Sequence, residues 1–109
     1  MNESRGRKMR IILMYDIYND ENQKESANKF RKHIISLGYH MIQYSVYSKC
    51  IGSHTMYKYE LNKVKSKLPN RANIRVLMVT EDQYKKIELL TGQKSYNKLI
   101  SEEEKYIEI

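Results

Sequence analysis

The sequence has 109 residues, with 20 Lys or Arg against 13 Asp or Glu and a formal net charge of +7. This length suits one domain with a modest core, and the chain holds no apolar stretch of the length of a membrane span or a secretory signal, so we expect a cytoplasmic protein without a membrane partner. A single cysteine, Cys50, and three scattered histidines exclude an internal disulfide and give no zinc-type spacing.

The charge is unevenly distributed along the chain. The last nine residues, SEEEKYIEI, hold four acids and one lysine, so residues 1–100 carry 19 basic and 9 acidic groups. A basic body favours a polyanion as partner, because each phosphate that is neutralised releases condensed counterions. Lysine-rich helices that are simply well solvated are the alternative, and charge alone does not separate the two.

The first two predicted elements are a strand and a helix. Residues 10–17 form an almost continuous apolar run, which is typical of a central strand covered on both faces. After a cap at Asn19 or Asp20, a helix is predicted to end at Gly38, a residue that tolerates the left-handed conformation of a helix stop. Four apolar residues recur at the spacing of one helical face: Ala27, Phe30, Ile34 and Leu37.

The middle of the chain predicts a hairpin and a second helix. Residues 39–51 are rich in β-branched and aromatic residues but too long for one ordinary strand, so we predict two strands hinged at residues 43–45. The following helix is predicted to begin at a Ser53 cap and to end at Pro69. Its apolar stripe comprises Tyr57, Leu61, Val64 and Leu68.

The remaining elements complete a recognisable order. Residues 73–80 predict a strand, Thr80 and Gln83 frame a short helical turn, and residues 87–90 predict a small last strand. The order is therefore βαββαβ with an extra C-terminal strand, which is the ferredoxin-like arrangement of the α+β class. We assign residues 9–92 to this domain, residues 1–8 to a basic N-terminal extension and residues 93–109 to a tail that is acidic at its end.

The predicted sheet has one face without a helix. Both helices cover the other face, so strand residues such as Ile11, Leu13, Tyr15, Leu77 and Val79 are expected to need burial by something else. A second copy of the sheet is the simplest cover, and a homodimer follows as a prediction.

Asp16 is the acid inside the first predicted strand. A carboxylate among buried apolar residues costs several kcal/mol unless it is paired, hydrogen-bonded or bound to a metal. No second acid or histidine lies at a spacing that would complete a site in one chain, but two copies of Asp16 could share Mg²⁺ and activate water for attack on a phosphodiester. The other interpretation, which spacing alone favours, is that Asp16 accepts hydrogen bonds from amides at the start of the next helix.

Basic and aromatic side chains supply the remaining candidates for nucleic-acid contact. Tyr15, Tyr44 and Tyr47 could stack on bases, but a chain with ten tyrosines and no tryptophan favours packing. Basic residues on the predicted helices and the hairpin end could follow a duplex backbone without reading its sequence. These predicted nucleic-acid-binding residues are Lys24, Lys29, Arg31, Lys32, Lys49, Lys58, Lys63, Lys65 and Lys67.

Four motifs in order resemble one known family. The segments MRIILMYDI, KFRKHIISLG, MIQYSVY and NIRVLMVTEDQY, between residues 9 and 92, closely resemble the CRISPR-associated Cas2 family, in the variety found in type II systems. The resemblance implies a ferredoxin-like homodimer that bridges two dimers of the CRISPR integrase and supports double-stranded protospacer DNA. It places the family's metal-binding acid at Asp16. The family also includes metal-dependent nucleases acting on RNA or double-stranded DNA, so whether this chain is an enzyme stays open.

The resemblance also bears on residues around the site and at the ends. Some relatives carry arginines in the first helical turn and before the Gln-x-Ser motif, where this chain has Gln23-Lys24-Glu25 and His40-Met41, so it supplies no arginines there for a nuclease site. In such proteins the strand at 87–90 pairs with the partner protomer's sheet. The tail beyond it can contact the integrase, and its acidic end suits a protein contact better than DNA.

Overall fold

The protein is seen here in a computed structural model, which describes residues 7–18 and 23–92. The predicted cap at 19–20, most of the N-terminal extension and the C-terminal tail lie outside these residues. The elements are β1 (Met9–Ile17), α1 (Gln23–Ser36), β2 (His40–Gln43), β3 (Val46–Ile51), a 3₁₀ turn (His54–Met56), α2 (Tyr57–Lys65), β4 (Ala72–Thr80) and α3 (Glu81–Lys85).

The four strands form one antiparallel sheet in the order β2-β3-β1-β4. With β1 in the interior and the two longer helices in the crossover connections, this is the ferredoxin-like arrangement that the sequence predicted. The hinge of the hairpin falls at residues 44–45, as expected, and Ser45 takes a positive φ of 66° there. None of the helices in the described part of the chain is long and apolar enough to cross a membrane.

The core lies between the sheet and helices α1 and α2. Because successive strand residues point to opposite faces, the odd-numbered residues of β1 face the helices. Tyr15 packs edge-on against Phe30, with ring centroids 5.2 Å apart, and stacks on Tyr47 at 5.9 Å. Burial of each large side chain contributes about 1.5–3 kcal/mol. The buried cluster comprises Met9, Ile11, Leu13, Phe30, Ile34, Tyr39, Tyr47, Ile51 and Val64.

This alternation corrects one prediction about the uncovered face. Ile11 and Leu13 are fully buried and Tyr15 packs against the same cluster, so these three need no second copy to cover them. Leu77 and Val79 do lie on the face away from the helices, and the Leu77 side chain is 54% exposed. The apolar surface that a second copy would have to cover is therefore smaller than predicted. It is confined to even-numbered residues of β1 and odd-numbered residues of β4.

Of the two predicted helix caps, Thr80 forms a capping box and Ser53 does not cap a helix. Thr80 and Gln83 form the predicted capping box of α3, with the Gln83 amide donating to Thr80 Oγ1 at 3.0 Å and the Thr80 amide to Gln83 Oε1 at 2.8 Å. The Ser53 side chain does not cap a helix. It bonds the Thr55 hydroxyl at 2.7 Å, and a 3₁₀ turn comes between it and α2, which ends at Lys65, before Pro69.

The predicted fifth strand is not a strand in this chain. Residues 87–89 have no regular structure and residue 90 lies in a bend, with the side chains of Ile87, Leu89 and Leu90 exposed. A strand needs a hydrogen-bonding neighbour, and within the described residues this segment has none. Its pairing with the sheet of a second copy stays a prediction.

Gly38 is required where α1 turns into β2. Its φ of +102° is a left-handed conformation, and an added Cβ would lie 3.3 Å from Cε of Lys49. We expect Gly38→Ala to lower the free energy of unfolding by about 1–2 kcal/mol in urea titrations. Gly52→Ala is the matched control, since nothing lies within 4 Å of its added Cβ. Equal losses at both positions would contradict this role of Gly38.

Candidate functional site

The sheet face away from α1 and α2 is called here the open face. Its middle is apolar and its two ends are polar, and the strand register fixes which residues share it. Across the four strands it comprises His40, Val46, Ser48 and Cys50 on β2 and β3, Arg10, Ile12, Met14 and Asp16 on β1, and Asn73, Arg75, Leu77 and Val79 on β4.

Asp16 lies at one polar end of the open face. It is exposed and stands opposite Asn73 in the β1–β4 register, with Arg75 as its diagonal neighbour on β4. Diagonal neighbours are about 7–8 Å apart, within reach of a long side chain. Among residues 7–18 and 23–92 no group of three or more His, Cys, Asp or Glu side chains could hold a metal. At this end of the open face the described part of β1 contributes the exposed carboxylate of Asp16.

The structure corrects the predicted environment of Asp16, which is exposed and not buried. The sequence suggested a buried carboxylate that requires a partner, but the apolar cover of β1 ends before this residue and solvent reaches it. The free-energy cost of burial therefore does not arise in one chain. The alternative interpretation, in which Asp16 accepts hydrogen bonds at the start of the following helix, concerns residues 19–22, outside the described ranges.

The predicted nucleic-acid-binding residues lie on the other face of the molecule, mostly on α1 and α2. Lys24, Lys29, Lys32, Lys58, Lys65 and Lys67 are exposed, and Arg31 and Lys63 are half-buried. The structure does not bring them together with Asp16, because the sheet lies between. We call the surface formed by α1, α2 and the turn after α2 the helix face.

Lys49 is the exception among the predicted basic residues. Its ammonium bonds Glu60 at 2.7 Å, with the two side chains only 17% and 7% exposed, and it lies 5.8 Å from the ring of Tyr39. Lys63 approaches the same carboxylate at 3.6 Å. Lys49 is therefore neutralised in the interior and is poorly placed to meet a phosphate.

Glu60 was missed in the sequence, although a signal was present. It lies three residues after Tyr57 and four before Val64, which places it on the apolar stripe of α2. An acid on such a stripe requires a buried cation. Burial, with a further contribution from the Glu60 charge, raises the pKa of the neighbouring Tyr39.

The other polar end of the open face anchors α3 to the sheet. Arg10 binds Glu81 through two nitrogens, at 2.6 Å and 3.1 Å, and its guanidinium lies 4.2 Å from the centre of the Tyr84 ring. The fully buried Ser48 hydroxyl contacts His40 Nε2 at 3.2 Å and the Tyr84 hydroxyl at 3.4 Å. Hydrogen bonding to Arg10 lowers the pKa of Glu81, so the carboxylate stays ionised to a more acidic pH than an ordinary glutamate does.

The environment of His40 predicts that the stability of the protein depends on pH. Burial, and then the charge of Arg10, lower the pKa of His40 below its ordinary value of 6.5. The unfolded chain therefore takes up a proton at a higher pH than the folded chain, and the free energy of unfolding should decrease as the pH falls from about 7 to 5.

Urea titrations across this pH range measure the free energy of unfolding. In His40→Gln this free energy should depend less on pH than in the wild type. His54→Gln, a change at an exposed position, is the control and should keep the dependence of the wild type. Identical pH profiles for the wild type and His40→Gln would contradict the assignment.

Comparison with known proteins places these features in a family. The sequence profile of the family described as CRISPR associated protein Cas2 matches residues 9–87. A protein named CRISPR-associated endoribonuclease Cas2 from Campylobacter jejuni is 38% identical over 96 residues, covering 87% of this chain and 67% of that protein. One of the same name from Streptococcus mutans UA159 is 37% identical over 87 residues, covering 79% and 80%.

A further relative and a solved structure are also similar to this chain. A protein of the same name from Treponema denticola is 33% identical over 97 residues, covering 87% of this chain and 95% of that protein. The solved structure titled "Crystal structure of cas2" superimposes with a TM-score of 0.57 at 16% identity, covering 83% of this chain and 92% of that one. At that identity the match supports the fold alone.

Proposed function

Because the chain belongs to the CRISPR associated protein Cas2 family, as its motifs predicted, we propose that it acts in CRISPR adaptation, the acquisition of new spacers. Two copies form a homodimer that bridges two dimers of the CRISPR integrase and supports the middle of the double-stranded protospacer DNA. The observation that carries this proposal is the uncompensated positive charge of the helix face.

The helix face has few acids to pair with its cations. Among the described residues its exposed ion pair is Glu25 with Lys29 at 3.9 Å, with both side chains about four-fifths exposed (81% and 78%). A pair so exposed contributes little, about 0–1 kcal/mol. Glu60 points inward and is already bound by Lys49, and Lys63 approaches the same carboxylate at 3.6 Å. The remaining lysines therefore present their charge to solvent, where a phosphate backbone can bind without its sequence being read.

Apolar surface supports the homodimer part of the proposal. The middle of the open face exposes Leu77 and Met14, and the segment after α3 exposes Leu89 and Leu90. Exposed apolar side chains on a sheet face are typical of an interaction surface, although Ile35, Tyr59 and Leu68 are also exposed elsewhere on the domain. A second copy, packed about a twofold axis, would cover both regions with a single kind of contact.

The experiment mixes the purified protein with its cognate CRISPR integrase and a protospacer-length duplex, and measures mass by sedimentation and light scattering. We expect the protein alone to be a dimer at micromolar concentration. In the mixture we expect one assembly of two copies of this chain, two integrase dimers and one duplex. A monomeric protein, or an integrase that binds the duplex without retaining this chain, would overturn the proposal.

A second candidate function is that of a magnesium-dependent endonuclease on RNA or double-stranded DNA. The exposed Asp16 favours it, and the relatives named above carry the name endoribonuclease. Mg²⁺ accepts one or two carboxylates together with waters, so Asp16 from each of two copies would suit it. When bound, the ion supplies charge and an activated water for attack on a phosphodiester. The part of Asp16 is to hold the cation at the polar end of the open face.

Cleavage assays with labelled RNA and duplex DNA, with Mg²⁺ or with a chelator, test this second function. Asp16→Asn keeps the shape of the side chain and removes its charge, and Asp82→Asn, at an exposed position on α3, is the matched control. A nuclease of this kind loses on the order of 100-fold or more of its cleavage rate in Asp16→Asn alone. Cleavage that survives the change, or that ignores the chelator, rules out the paired site.

A further inference from the structure

The helix face carries exposed apolar side chains among its lysines. Met56, at the N-cap of α2, is 38% exposed, and Tyr59, three residues further on, is 57% exposed. Residues three apart are neighbours on a helix surface, so these two side chains form one patch. The Lys63 ammonium, one turn later, lies 4.5 Å from the centre of the Tyr59 ring. The outer side of α2 therefore combines an apolar patch with a cation at its edge.

The acid of α2 does not neutralise the cations around this patch. Lys58 and Lys65 are exposed on the same helix, whereas Glu60 points inward and binds Lys49 at 2.7 Å. A dimer that buries the open face leaves the helix face in contact with solvent. The ligand that complements this surface carries negative charges together with apolar groups.

The C-terminal end of the chain has this composition. Residues 101–109 read SEEEKYIEI, with three successive glutamates followed by apolar side chains around a fourth. The rest of the chain carries 19 basic and 9 acidic groups, so it attracts a segment of this charge, most strongly at low salt. The segment complements the outer side of α2 in both charge and apolar character.

The tail is long enough to bring its acidic end to the helix face. The described residues end at Gly92, and the chain reaches this point from β4, an edge strand of the sheet. Residues 93–104 span up to ~40 Å when extended. The two shorter dimensions of the chain are 32 Å and 23 Å. The glutamates can therefore pass the β4 edge and reach α2, the helix that precedes β4.

We propose that residues 101–109 bind the helix face of their own chain, with the glutamates against its lysines and the apolar side chains on Met56 and Tyr59. The glutamates and a DNA backbone compete for the same lysines, so the tail lowers the affinity for duplex DNA. A tethered segment acts at an effective concentration of about 1 mM, so an affinity as weak as ~0.1 mM reduces duplex binding ~10-fold. The inference rests on the proposed function and adds an internal competitor to it.

Duplex binding by the full-length chain tests the competition. The first variant changes the four tail glutamates to glutamine, and at low salt it should bind a labelled duplex ~10-fold more tightly than the wild type in anisotropy titrations. The second variant, Ile107→Ser with Ile109→Ser, should also bind the duplex more tightly although its net charge is unchanged. Both gains should vanish when the four helix-face lysines Lys24, Lys32, Lys58 and Lys65 are also changed to glutamine.

A labelled peptide of residues 101–109 tests the docking directly. It is titrated into the full-length variant with the four glutamines, whose own tail no longer competes. We expect salt-sensitive binding that is weakened by Lys58→Gln with Lys65→Gln and by Tyr59→Ala. Lys85→Gln with Lys86→Gln, which removes two exposed charges near α3, is the matched control and should leave peptide binding unchanged.

The outcomes separate this inference from the proposed function. The inference is overturned if the tail variants bind the duplex as the wild type does, or if only the glutamine variant gains affinity, which would indicate net charge alone. It is also overturned if dilution removes the difference, since the tail then acts between molecules, or if the peptide binds the cognate integrase and not this surface. Peptide binding to the helix face without any duplex binding would contradict the proposed function and support the docking.

Discussion

Replacement of four exposed lysines on the helix face by glutamine should weaken binding of duplex DNA by on the order of 100-fold or more at about 0.1 M salt. The four are Lys24 and Lys32 on α1 and Lys58 and Lys65 on α2. Each phosphate contact that is lost removes about 0.9 from the slope of log affinity against log salt, so the slope should fall by about 3–4 if all four contribute.

Anisotropy titrations at several salt concentrations measure both quantities. The α1 pair and the α2 pair can also be changed separately, which shows which helix lies nearer the DNA. Lys85→Gln with Lys86→Gln is the matched control, because it removes two exposed charges near α3, away from the helix face. A loss as large for this control pair as for either helix pair would mean that only net charge matters, and would contradict the helix face as the binding surface.

Removal of the Glu60 carboxylate should be the most destabilising single change. In Glu60→Ala the Lys49 ammonium, only 17% exposed, loses its partner in the interior. Breaking a buried pair in this way costs about 3–5 kcal/mol of unfolding free energy. For a domain of this size we expect a fall in Tm of ~15 °C or more.

Urea and thermal unfolding measure the loss of stability in Glu60→Ala. Two further variants show whether the unpaired Lys49 charge causes it. Lys49→Met combined with Glu60→Leu removes both charges and should recover most of the lost stability, because buried pairs are often replaced by apolar residues at little cost. Glu25→Ala breaks the exposed pair with Lys29 and should change the free energy of unfolding by less than ~1 kcal/mol. A double variant no more stable than Glu60→Ala would contradict the account.

The order of the elements could be predicted because local signals carry it. The helical spacing of Phe30 and Ile34, the stop at Gly38 and the capping box of Thr80 and Gln83 each depend on residues within one or two turns. Local signals of this kind predict the type and the order of the elements. The order βαββαβ in turn indicates the ferredoxin-like fold.

The environment of individual side chains could not be predicted in the same way. Residues 10–17 are apolar on both faces, so the sequence does not reveal that Asp16 lies beyond the cover and is exposed. The ion pair of Lys49 with Glu60 joins β3 to α2, and only the folded chain shows that the lysine is enclosed. Tyr15 and Tyr47 pack together as expected, whereas Tyr44, at the tip of the β2–β3 hairpin, is 80% exposed in one chain, because composition describes tyrosines as a class and not by position.

The predicted last strand shows a different kind of limit. Residues 87–90 have the composition of a strand, but a strand exists only when another strand pairs with it. Neither a local pattern nor one chain alone supplies that neighbour. The same holds for a metal site made of two Asp16 side chains, which depends on how two copies meet.

Spacer acquisition in cells that carry Asp16→Ala tests the central claim most directly. The gene is deleted and then replaced by the wild type, by Asp16→Ala or by the variant with the four helix-face lysines changed to glutamine, and new spacers are counted by sequencing the CRISPR array. We expect Asp16→Ala to restore acquisition to the wild-type level and the lysine variant to leave it impaired. Loss of acquisition in Asp16→Ala, with its fold and its binding to integrase and duplex intact, would contradict a supporting role and would favour catalysis by Asp16.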